Sequence, residues 1–106
     1  MIYTKIMKKE EVIKKLKENM DEIRRFGVKR IGIFGSVARD EADENSDIDF
    51  VVEFYENRGG MEDFVGIIDF LESIFGKKVD VLTPGGIENI RIKSIKNKIK
   101  RELEYV

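Results

Sequence analysis

At 106 residues with a hydrophobic fraction of 42%, the chain suits one domain with a single modest core. Charged residues reach 39%, against about 25% in an average domain. Lys+Arg 20 and Asp+Glu 21 nevertheless cancel to a net charge of -1, which excludes a global polyanion binder and an acidic tail. Cysteine and histidine are both absent. That removes disulfides, thiolate metal sites and the commonest general base, and leaves oxygen ligands for a hard cation such as Mg²⁺ or Mn²⁺. The opening "MIYTKIMKKEEV" lacks a signal-peptide core and no apolar run approaches a membrane span, so a soluble, cytoplasmic protein without a membrane partner is expected.

In chain order, residues 9–25 carry Val12, Leu16, Met20 and Ile23 at helical spacing, with Gly27 as the stop. "VKRIGIF" reads as a strand with Ile31 and Ile33 on one face. Gly35-Ser36 follows, with Ser36 as the N-cap of a short helix "VARDEA". After the polar "ADENS", the segment "DIDFVVEF" reads as a strand. Ile48, Phe50, Val52 and Phe54 share one face, and Asp47, Asp49, Val51 and Glu53 the other. "ENRGG" is a turn. "MEDFVGIIDFLESIF" is a helix whose arc of Met61, Phe64, Val65, Ile68, Leu71 and Phe75 should be well buried. "KKVDVL" is a short strand, "TPGG" a break, and residues 87–106 one long charged helix with Ile92, Ile95, Ile99 and Leu103 aligned. The order α-β-α-β-α-β-α predicts a single α/β domain over 1–106, with a small mixed sheet flanked by helices.

Three features converge on chemistry. A Gly-Ser turn between strand and helix exposes backbone N–H groups that can bind a phosphate, and glycine permits its close approach. Arg39, on the short helix after the turn, also suits a phosphate contact. Asp47 and Asp49 lie on one face of a strand, with Cα atoms about 6 to 7 Å apart. At an effective dielectric of 20 two such charges repel by roughly 2.5 kcal/mol, a cost that a cation or proton would offset. Asp80, between Val79 and Val81, occupies a strand position where an apolar residue would be cheaper. Three strand carboxylates beside a phosphate-binding turn could hold two Mg²⁺ ions. Taken singly, each has a plainer reading as turn, solvated strand end or edge-strand charge.

The joint spacing is more specific. Gly35-Ser36, ten residues, then Asp47-Ile48-Asp49 resembles the signature of the polymerase-β-like nucleotidyltransferases. "GSVARDEADENSDIDFVV" is similar in particular to the minimal nucleotidyltransferases, and Asp80 in "KKVDVLTP" matches their third carboxylate. The resemblance implies the polymerase-β-like fold and transfer of AMP from ATP. It gives Asp47, Asp49 and Asp80 to metal binding and catalysis, and Gly35, Ser36 and Arg39 to the nucleotide. It also implies a HEPN-domain ribonuclease toxin as partner and a toxin tyrosine hydroxyl as acceptor. The alternative is an antitoxin that inhibits by contact alone. One departure is Asp40, where the family often has glycine; a carboxylate there would repel a triphosphate or require a different loop angle. The basic run "RIKSIKNKIKR" lacks interleaved aromatics, so nucleic acid ranks low as a partner.

Overall fold

The computed structural model describes residues 6–106. Its elements are α1 (Lys9–Glu18), α2 (Met20–Arg25), β1 (Val28–Phe34), α3 (Gly35–Ala38), β2 (Ile48–Phe54), α4 (Met61–Phe75), β3 (Val79–Leu82), α5 (Pro84–Glu88), α6 (Lys93–Glu102) and β4 (Glu104–Tyr105). The sheet order is β3-β2-β1-β4, with β1 antiparallel to β2 and β4, and β2 parallel to β3. The mixed α/β sheet is the one expected. A parallel pair needs a crossover of a dozen or more residues, and the 15-residue α4 supplies it.

Strand alternation divides the apolar residues between two layers. Ile31, Ile33, Ile48, Phe50 and Val52 point to the main core, where they meet Val12, Leu16, Ile23, Ile67, Leu71 and Phe75 from α1, α2 and α4. Each such buried side chain contributes about 1.5–3 kcal/mol relative to exposure. Phe34 and Val51 point the other way, into a small cluster with Ile87, bordered by Ile99, Leu103 and Tyr105. Asp49 shares the Val51 side by the same alternation, so the carboxylates face the α5–α6 layer rather than the core.

Four expectations need correction. The first helix is broken at Asn19, whose Nδ2 donates to the Lys15 carbonyl at 2.8 Å and whose backbone leaves the helical region at ψ 14. Ser36 is not an N-cap; α3 begins at Gly35, is capped by Phe34, and stops at Ala38. The buried arc of α4 keeps Leu71 and Phe75 from the one expected but turns toward Ile67 and away from Met61 and Val65. Ile67, Leu71 and Phe75 are its buried residues, whereas Met61 is 78% exposed. Periodicity cannot distinguish neighbouring arcs on a helix that is apolar over most of its circumference.

The C-terminal stretch is not one helix. Thr83 Oγ1 accepts from the Gly86 N–H at 3.1 Å and starts the short α5, with Pro84 in its first turn. After α6 the chain turns extended at Leu103, and β4 adds to the edge of β1 through Gly32↔Tyr105 and Ile33↔Glu104. Gly32 makes this seat possible, because a Cβ there would lie 2.8 Å from the Glu104 carbonyl oxygen. Among the described residues, no helix is long and apolar enough to cross a membrane.

The revised arc of α4 is testable by thermal or urea unfolding. Leu71→Ala should lower stability by about 2–5 kcal/mol, as for a core truncation. Met61→Ala should stay within about 0.5 kcal/mol of the parent. Comparable losses in both variants would contradict the arc.

Candidate active site

The site lies where the end of β1 meets the starts of β2 and β3. Phe34, the last residue of β1, is the register partner of Asp49, and Asp49 is in turn the register partner of Asp80. A turn and two carboxylates thus line up across three adjacent strands. Gly35 has φ +74, and a Cβ placed on it would fall onto Asp49 Oδ2. Only glycine satisfies both the backbone and the approach.

Asp49 is half-buried, while Asp47 and Asp80 are exposed. Burial pushes the Asp49 carboxyl up to about 6, helped by the Asp80 charge, a hydrogen bond with Asp80 and the Asp47 charge, and opposed by Arg39. The three acids and Arg39 therefore behave as one electrostatic group. Among the described residues, however, no three acidic side chains are already gathered closely enough to grip a metal ion. Asp49 and Asp80 are brought together beside Gly35, and Asp47 sits just outside the strand within electrostatic reach. The donor set is all carboxylate oxygen, which suits Mg²⁺ or Mn²⁺. A divalent cation would also relieve the like-charge crowding that raises the Asp49 pKa.

Gly35 and Ser36 form the first turn of α3, and Arg39 is its C-cap. The Arg39 guanidinium donates from Nε to Glu41 Oε2 at 3.1 Å and from Nη1 to Glu102 Oε1 at 2.8 Å. The other Glu102 oxygen accepts from the Gly35 N–H at 3.2 Å. Glu102 is the residue that sequence reasoning missed. It ends a regular charged helix 67 positions after Gly35, with nothing in the local pattern to connect them. Asp40 takes φ 56, the left-handed backbone that glycine favours, and its Oδ1 accepts from the Lys9 N–H at 3.1 Å. The departure from glycine therefore keeps the loop angle, and the carboxylate is held at the N-terminus of α1.

The raised Asp49 pKa has a stability consequence. Between the ordinary carboxylate value of 3.8 and about 6 the folded chain holds a proton that the unfolded chain has lost. Stability should therefore fall as pH rises through this window and stay low above it. Because the group is half-exposed, the effect is discounted to on the order of 1 kcal/mol. Asp49→Asn should unfold at a higher temperature than the parent at pH 7 and show a flatter profile between about pH 4 and 6. An equally pH-sensitive or less stable variant at pH 7 would count against a carboxylate destabilised by burial and its neighbours at this position.

The sequence matches the family described as "Nucleotidyltransferase domain" over residues 13–106. It is 36% identical over 98 residues to "Protein adenylyltransferase MntA" of Thermococcus cleftensis, covering 92% of this chain and 94% of that protein. The fold superposes with a TM-score of 0.71 on a solved protein titled "Structure of putative minimal nucleotidyltransferase", at 30% identity and over 92% of this chain and 95% of that one. It also superposes with a TM-score of 0.58 on "Crystal structure of the toxin-antitoxin with AMP-PNP", covering 93% and 72% of the two chains; at 18% identity this is a likeness of fold. The chain belongs to the nucleotidyltransferase domain family, as an enzyme with the fold of its minimal members.

Proposed function

We propose that the protein transfers AMP from ATP to a tyrosine hydroxyl on a HEPN-type ribonuclease toxin and thereby neutralises it. The observation that carries this reading is the register Phe34–Asp49–Asp80, which sets two carboxylates beside a glycine turn and an arginine. The Thermococcus relative, named a protein adenylyltransferase, supports a protein acceptor. The open position of Asp47 and Asp80 supports it too, since an exposed rim admits a macromolecular side chain.

Asp47, Asp49 and Asp80 would hold two Mg²⁺ ions, with Mn²⁺ as a substitute. Bound there, the metal supplies charge neutralisation of the phosphates and a lowered pKa for the attacking hydroxyl. The chain's own groups do the rest. The Gly35 and Ser36 backbone and the Arg39 guanidinium bind the triphosphate and orient its α-phosphorus. The tyrosine oxygen forms a bond to that phosphorus, the bond to the bridging oxygen breaks, and diphosphate leaves. Asp80, exposed and adjacent to Asp49, accepts the tyrosine proton, a role that falls to a carboxylate in a chain without histidine. The added AMP brings a bulky anion to the toxin and excludes RNA by sterics and like charge.

Incubating the protein with a HEPN toxin, Mg²⁺ and ATP should add mass to the toxin in AMP units. Ribonuclease activity should disappear and remain lost after the two proteins are separated. Asp80→Asn should bind Mg-ATP more weakly, having lost one metal ligand, and at saturating Mg-ATP its transfer rate should still fall by roughly 100-fold or more. If toxin mass is unchanged and full activity returns on separation, the protein is an inhibitor by contact alone.

A further inference from the structure

The Glu102 carboxylate occupies two of the groups to which the triphosphate has been assigned. One oxygen accepts from the Gly35 N–H and the other from Arg39 Nη1, and the side chain is only 14% exposed. We infer that Glu102 is an internal stand-in for phosphate, a carboxylate plug that must leave the Gly35–Arg39 cradle before a nucleotide enters. This rests on the reading that Gly35 and Arg39 hold the triphosphate.

The plug is held by this cradle against a local disadvantage. Glu102 is the last residue of α6, where the helix dipole disfavours an anion. Its two charge-assisted hydrogen bonds offset that cost. Glu41 and Asp49 already set negative charge beside Arg39, and Glu102 adds to it. An arriving triphosphate would therefore meet a cradle that is both filled and anionic. Simple displacement is feasible because the backbone on either side is fixed. β4 pairs with β1, and the Val106 N–H donates to the Ile31 carbonyl at 2.9 Å. On this reading Glu102 leaves by a change of rotamer while β4 stays paired with β1. The plug keeps Arg39 and the turn in place while the site is empty and sets a threshold on nucleotide binding.

The test is titration of Mg-AMP-PNP onto the parent, Glu102→Gln and Glu102→Ala by calorimetry, with thermal unfolding to confirm that each variant is folded. Glu102→Gln removes the charge with nearly unchanged shape. Its affinity should rise roughly five- to tenfold, the scale of one charge-assisted contact that no longer has to be broken. Glu102→Ala should also bind more tightly than the parent. Unchanged or weaker binding by both variants, with the parent still binding, would overturn the plug and leave the nucleotide site standing, since Glu102 would then be supporting Arg39. Absence of binding by all three folded proteins would remove the nucleotide reading and the plug with it.

Discussion

The site depends on the register between β2 and β3. Parallel pairing puts Asp49 directly beside Asp80, and antiparallel pairing with β1 puts the same Asp49 beside the exit to Gly35. A one-residue slip of β2 would turn Asp49 into the core and Phe50 out of it. The register is therefore held by the buried row Ile48, Phe50 and Val52, and the hydrophobic face of the strand fixes the position of its polar face. Stability and chemistry share one strand, on opposite sides.

The polar side is costly. Burial and neighbouring carboxylates push the Asp49 pKa up to about 6, opposed by Arg39. A fold selected for stability alone would place an apolar residue there, as it does at the neighbouring Val51. The imbalance has a natural use if cations and a polyanionic substrate enter together, each neutralising what the other disturbs. Glu102 belongs to the same account, since it satisfies Arg39 and Gly35 with an anion of the chain's own.

Most of this was legible in the sequence because it follows from period and spacing. The alternation in "DIDFVVEF" separated core from site. The Gly-Ser turn and the two carboxylates had a separation specific enough to suggest the family. Other features were not legible because they arise from tertiary choice. The rotation of α4 is set by what β2 and β3 present to it. The end of the final helix at Glu102 is set by a sheet edge that Gly32 leaves open to β4. Ser36 matched the preference for a helix cap, but α3 starts two residues earlier than that cap implies, at Gly35 with Phe34 before it. The contact of Glu102 with Gly35 spans 67 residues and depends on the same docking of the C-terminal segment.

The central claim is that Asp49 and Asp80, adjacent by strand register, form one divalent-cation site. It is tested most directly by measuring Mn²⁺ binding by electron paramagnetic resonance in the presence of AMP-PNP, for the parent and for Asp49→Asn and Asp80→Asn separately. The account predicts that Mn²⁺ binds the parent and that either substitution weakens binding by at least about tenfold, as expected for loss of a charged ligand. Parent-like Mn²⁺ affinity in both variants would contradict it.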